Sequence, residues 1–334
     1  MIQLLGLVLI SFLITSLSLV PFIDFLYFLR RKYQKSVAVD LNTPLHNKLL
    51  QGKDLATPVG GGLLLIPLII LMSLFFVLWT DYSLNSQLYL LFFTLISFGL
   101  IGLLDDSHKI FKHFSGKYAG LRARYIFLLQ LIFATVIAFI LYFHLGFNNL
   151  FIPFFGNIVL GYLYIPLALI PIVSFANAFN ISDGLDGLSS GLLLICLFAF
   201  LVLASAVFNQ TLSIFVGIWI GALIAYLYFN VFPARVYLGD GGAYGFGATL
   251  AVVGLLTGKI IGLGVIGGVF IIIVASSFLQ IVSKRYFKRK LFPIAPVHMY
   301  FKYAGWEEPK IVMRFWLAGV IFAILGLWLA LLSN

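Results

Sequence analysis

Apolar runs long enough to cross a lipid bilayer recur from one end of this chain to the other, and they leave few folds open. They lie near residues 2–28, 59–79, 88–104, 123–146, 159–176, 188–207, 212–230, 244–258, 260–282 and 312–332. About 20 apolar residues in a helix span the roughly 30 Å hydrocarbon core of a bilayer. Inside lipid every backbone N–H and C=O must find a partner within the protein, so only helices and closed barrels cross. The two-residue alternation of a barrel strand is absent here. Composition agrees: the 334 residues are 62% hydrophobic and 10% charged, against about a quarter charged in soluble domains. The expected fold is an all-α integral membrane protein of about ten transmembrane helices, one polytopic domain over residues 1–334. The first run has no basic segment before it and no small-residue cleavage site, so it reads as a retained helix rather than a leader. The lone Cys196 lies within an apolar run and reads as packing, since one cysteine makes neither an intramolecular disulfide nor a thiolate cluster.

The connections between these runs fall into two alternating sets, and the basic residues sort between them. Residues 29–58, 105–124, 231–243 and 283–314 hold every one of the 21 Lys and Arg except Lys259. Basic loops stay cytoplasmic, so this set is expected inside, with both termini outside. Of the eleven acidic residues, seven fall in these four connections and two more, Asp183 and Asp186, in 177–187, which belongs to the same alternating set; only Asp24 and Asp81 lie elsewhere. A carboxylate where an apolar run meets a loop is costly without a partner, and a row of them calls for a cation.

Four clusters carry the chemistry. Asp105 and Asp106, in GLLDDSHK, are adjacent carboxylates that repel unless Lys109, one turn on, or a magnesium ion neutralises them; read blandly, they are two solvated loop acids. NAFNISDGLDGLSSG, residues 177–191, brings Asn177, Asn180, Asp183 and Asp186 together with three glycines. Glycine lets backbone amides approach a phosphate, and amide and carboxylate oxygens suit a hard cation or a nucleobase. If Asp183 opens the next helix, Asp186 shares its face. A helix cap with loop glycines accounts for part of this cluster only. FPARVYLGDGGAYGFG sets Asp240 in a glycine-rich turn, with Tyr237 offering a π-face to a base or, equally, an anchor at the membrane interface. The fourth, from Lys284 to Arg314, holds KRYFKRK and then PIAPVHMYFKYAGWEEPK; its basic run suits anionic lipid or an inside anchor, and His298 suits phosphate contact, proton transfer or plain packing.

In this order and on these loops, the four clusters resemble the polyprenyl-phosphate hexosamine-1-phosphate transferases of glycosyltransferase family 4, most closely the phospho-N-acetylmuramoyl-pentapeptide transferase branch, over nearly the whole chain. TPVGGG at 57–62 resembles that branch's TPTMGG, GLLDDSHK its GFxDDYxK, NISDGLDGL its NLTDGLDGL, and VYLGDGGAYGFGA its VFMGDxGSLxLGG. PVHMYFKYAGWEEPKIVMRFW resembles PLHHHFExxGWxEPxVVxRFW. The resemblance implies a bacterial plasma-membrane enzyme that moves phospho-MurNAc-pentapeptide from UDP to undecaprenyl phosphate with Mg2+, giving lipid I and UMP at a cytoplasmic active site. It implies Asp240 and Asn180 at the metal, and Asp183, Asp186 and Tyr237 in the nucleoside pocket. Asp105 becomes a base for the lipid phosphate or, in a covalent scheme, the nucleophile, with Asp106 beside it. Lys53, Lys109 and Asn177 become substrate contacts, and His298 joins the catalytic set. UDP-linked amino sugar, undecaprenyl phosphate and membrane lipid are the implied partners, with a homodimer possible and nucleic acid excluded.

The chain departs from the branch at three places. Met299 and Tyr300 follow His298 where the branch has two further histidines, Asp54 stands where it has Lys, and Val59 replaces the second Thr of TPTMGG. A UDP-GlcNAc-type donor therefore stays open. An aromatic prenyltransferase would share the Asn180, Asp183 and Asp186 spacing but needs a second Asp-rich motif, and a transporter usually shows an internal repeat that is not evident here.

Overall fold

The computed structural model describes residues 2–33, 57–80, 84–114 and 121–332; Lys53 and Asp54 lie outside them. Twelve α-helices occur among the described residues: α1 Ile2–Tyr33, α2 Gly61–Trp79, α3 Ser86–Phe114, α4 Ala123–Phe139 (continued by a π-helical turn, Ile140–His144), α5 Tyr164–Ser182, α6 Leu188–Ala206, α7 Gln210–Asn230, α8 Gly239–Leu256, α9 Ile260–Ile266, α10 Gly268–Tyr286, α11 Val297–Tyr303 and α12 Glu308–Leu331. Nine are long and apolar enough to cross a membrane: α1 to α7, α10 and α12. The chain is an all-α multi-pass membrane protein.

Each of the ten expected runs is helical, with three local differences. The run expected over 260–282 is broken at Gly267 into α9 and α10, and the glycine there leaves room for the Phe175 ring: a Cβ on Gly267 would lie 2.3 Å from it. The run expected to close at residue 104 continues to Phe114, so Asp105, Asp106 and Lys109 stand on α3 itself rather than after it. The run expected from 159 starts at Tyr164, after an antiparallel hairpin of β1 Asn149–Ile152 and β2 Gly156–Val159.

α8 is the pillar of the bundle. From Gly241 to Leu256 every one of its residues is buried, and it packs on α3, α5 and α2. A glycine-rich helix suits this place because small residues let helix backbones approach closely in a membrane, where packing rather than apolar burial drives association. A Cβ on Gly62 would lie 2.4 Å from Gly242 Cα, and one on Gly102 would lie 2.1 Å from the Asp240 carbonyl oxygen. Those two contacts seat the first turn of α8 between α2 and α3.

Candidate active site

The chemistry-bearing residues gather at one end of the bundle, where α3 and α5 finish and α2, α8 and α12 begin. The Lys109 ammonium, on α3, is bonded to the Asp240 carboxylate on the first turn of α8. It also lies 2.8 Å from Asp105 Oδ2 and 4.0 Å from Asp106 Oδ1. Helical spacing explains the two local pairs, since residues three and four apart share a face. The Asp240 contact spans 131 positions of sequence and exists only because α3 and α8 meet at Gly102.

The remaining oxygens are also engaged. Asn180, on the last turns of α5, donates its Nδ2 to Asp240 Oδ1 at 2.8 Å. Asp105 is buried, and its Oδ1 accepts the Leu121 N–H at 2.7 Å. Asp106 Oδ2 accepts the Gly241 N–H at 3.3 Å. Three carboxylates thus converge on one ammonium, so the field at this point favours cations strongly.

A second group lies beside the first. Asp183 and Asp186 do not open a helix: Asp183 caps the end of α5, Asp186 sits in the link, and α6 starts only at Leu188. Gly187, with φ of 78°, turns the chain into α6. Asp183 Oδ1 accepts the Ser189 hydroxyl. Asp186 is buried, and its Oδ2 accepts the Ala234 N–H at 3.0 Å. Tyr237 is half-buried between this link and the TPVGGG loop: its N–H donates to the Pro58 carbonyl at 2.9 Å, and its own carbonyl accepts Gly60 N–H at 3.0 Å and Gly61 N–H at 2.9 Å. Burial, then the Asp186 and Glu308 carboxylates, push its phenol well above the ordinary range, so it stays a neutral donor at physiological pH. His298, on α11, is buried against Gly184, where an added Cβ would lie 2.9 Å from its Nε2.

One expected contact points elsewhere. Asn177 donates its side-chain amide to Gln130 Oε1 at 2.7 Å and to the Val173 carbonyl at 2.8 Å, so it ties α5 to α4. Asn177 lies about 4.5 Å further back along α5 than Asn180, and at that level its amide meets Gln130 rather than Asp240. Sequence reading also passed over Glu308, Lys302, Gln130 and Ser189. Only Glu308 carried a signal, an acidic residue at the edge of an apolar run.

Magnesium fits the donor set as a shared rather than a caged ion. Among the described residues no three His, Cys, Asp or Glu side chains converge closely enough to enclose a metal. Mg2+ is commonly held by one or two carboxylates, with water and substrate phosphate oxygens completing the shell. Asp240 with Asp106 nearby meets that need, and the position already attracts an ammonium. Asn180 gives Asp240 its amide nitrogen and so orients the carboxylate.

A helical membrane bundle with three carboxylates around a partly exposed ammonium, and glycine-rich loops at the same rim, has the make-up of a membrane-embedded enzyme that handles phosphate groups. Residues 88–258 match the model described as glycosyl transferase family 4. The chain is 34% identical over 327 residues to the phospho-N-acetylmuramoyl-pentapeptide-transferase of Oceanobacillus iheyensis, covering 96% of each protein. It is 36% identical over 282 residues to that of Staphylococcus epidermidis, covering 83% of this chain and 86% of the relative. With that of Pelagibacter ubique the figure is 36% over 299 residues, covering 82% and 80%. This chain belongs to glycosyl transferase family 4, within its phospho-N-acetylmuramoyl-pentapeptide-transferase branch.

Proposed function

We propose that this enzyme transfers phospho-MurNAc-pentapeptide from its UDP carrier to undecaprenyl phosphate, forming lipid I and releasing UMP for peptidoglycan synthesis. The observation that carries this reading is the convergence of Asp105, Asp106 and Asp240 on Lys109, beside the glycine-bearing link of Asp183 and Asp186. The names of the relatives give the same transferred group, phospho-N-acetylmuramoyl-pentapeptide.

In this scheme an oxygen of the lipid phosphate attacks the phosphorus that carries the sugar. A new P–O bond forms as the bond to the bridging oxygen breaks, and UMP departs with that oxygen. Asp105 takes any proton left on the attacking phosphate; the acceptor is a nucleophile already, so a covalent enzyme intermediate is unnecessary. Lys109 offsets charge on the phosphates. Tyr237 stacks on uracil, while Asp183 and Asp186 border the nucleoside, and Lys53 and His298 serve the diphosphate and sugar end. Bound to Asp240, Mg2+ supplies charge neutralisation for the diphosphate, an electrostatic effect often worth several kcal/mol.

The test is UMP release by purified protein in detergent with undecaprenyl phosphate, Mg2+ and a panel of UDP sugars. UDP-MurNAc-pentapeptide is expected to be the preferred donor. Preference for UDP-GlcNAc would move the chain to another donor class and give the Met299 and Tyr300 departures a meaning.

Cytoplasmic placement of this rim rests on the basic loops beside it, with Lys259 at the opposite end over the Phe151 ring at 3.8 Å. Asn149→Cys and Lys259→Cys are expected to react with a membrane-impermeant thiol reagent applied to intact cells, and Lys288→Cys only after permeabilisation. Cys196 is buried and gives no background. The opposite labelling pattern would invert the topology.

A further inference from the structure

Three neighbouring residues of the link between α5 and α6 are gripped from the α11–α12 segment. Gly184 lies against His298; the Asp186 N–H donates to Glu308 Oε1 at 2.7 Å; and Gly187 accepts the Trp316 indole N–H at 3.2 Å. Glu308 is the central grip. It is the first residue of α12 and is 6% exposed, yet it carries a carboxylate. Its other oxygen, Oε2, accepts from the Lys302 ammonium at 2.6 Å, near the end of α11.

A buried ion pair adds little net stability over an apolar contact of the same shape, whereas it does set geometry, because each partner is costly to leave alone. Here the geometry that is set belongs to the link. Asp186, held from below by Glu308, holds Ala234 in turn through its own carboxylate, and Ala234 leads directly to Tyr237. Glu308 is also close enough to Tyr237 to act on its phenol.

We propose that Glu308, with Lys302 as its counter-ion, is a positioning residue that holds the 183–187 link in register with Tyr237 and thereby sets affinity for the nucleoside half of a nucleoside-diphosphate donor. This rests on the reading of that link and Tyr237 as the nucleoside subsite. It assigns a task to the WEEPK segment separate from the phosphate chemistry at Asp105, Asp106 and Asp240.

The test uses the full chain in detergent, with UMP affinity by calorimetry and steady-state kinetics for both substrates. Glu308→Ala removes the acceptor of the Asp186 N–H, and is expected to weaken UMP about tenfold or more. The donor KM should rise in step, by more than kcat falls, with the KM for undecaprenyl phosphate little changed. Glu308→Gln keeps an oxygen for that N–H and should recover most of the UMP affinity. The exchanged pair Lys302→Glu with Glu308→Lys restores opposite charges without the acceptor, and should stay weak. Unchanged UMP affinity in Glu308→Ala would overturn the proposal. So would equal weakening of both substrates together with a lowered unfolding temperature that Glu308→Gln does not correct, which is the mark of a fold contact. Wild-type protein that binds no UMP would instead remove the nucleoside subsite itself, and the two failures are told apart by that one control.

Discussion

Asp240→Asn is expected to lower UMP release by about 100- to 1,000-fold or more at millimolar Mg2+, the range seen when one preorganised electrostatic group is lost from an active site. The side chain stands at the centre of the carboxylate group: Oδ2 holds the Lys109 ammonium and Oδ1 accepts from Asn180 at 2.8 Å. Asparagine has the same shape and can still accept from Asn180, so the unfolding temperature should change little while the charge is gone. What is lost is the carboxylate proposed to share Mg2+ with the diphosphate, and the counter-charge that keeps Lys109 in place. Exhaustive chelation of the wild-type enzyme should reproduce the loss, with recovery on adding Mg2+ back. Full activity after chelation would exclude the metal from the scheme while leaving the Lys109 arrangement standing.

Gly102→Ala is expected to damage the same site without touching any chemical group. The added methyl carbon would lie 2.1 Å from the Asp240 carbonyl oxygen and 2.4 Å from the Gly241 nitrogen, both backbone atoms of the first turn of α8. No rotamer change relieves such a contact, so α8 must move away from α3. Overpacking of this kind costs about 1–3 kcal/mol of stability. Turnover should fall more steeply, by about 100-fold, because a displacement near 1 Å is enough to misplace reacting groups. Gly264→Ala is the control: it adds the same atom on α9 with nothing within 4 Å, and should leave both stability and turnover near wild type. Equal behaviour of the two variants would mean that α3 and α8 do not depend on this close approach.

Much of this protein is legible from its sequence because a bilayer is a demanding solvent. Ten apolar runs declare ten helices, since a lipid-exposed backbone has no other way to satisfy itself, and each run is helical in the structure. The sorting of 20 of 21 basic residues into alternate connections follows from local charge alone. The order of the DD, NISDGLDG, LGDGG and WEEPK segments was enough to indicate the family and to nominate Asp105, Asp106, Asn180 and Asp240, which the fold does bring together.

What the sequence left open depends on which helix faces meet. Apolarity says that a segment belongs in lipid or core and is nearly silent on its neighbour, because lipid tails and leucines are equivalent partners. Lys109 reads as a local counter-charge for Asp105 and Asp106; that it also holds Asp240 follows from glycines at 102 and 241 letting α3 and α8 touch. Asn177 and Asn180 look alike in sequence, and only the docking of α4 and α8 at different levels of α5 gives one to Gln130 and the other to Asp240. Glu308 reads as one acid among several until α12 docks and places it on the Asp186 N–H. Residue type and run length report the solvent of each segment, a local property, whereas these pairings are set by the complementary shape of segments far apart in the chain, which exists only once the bundle has packed.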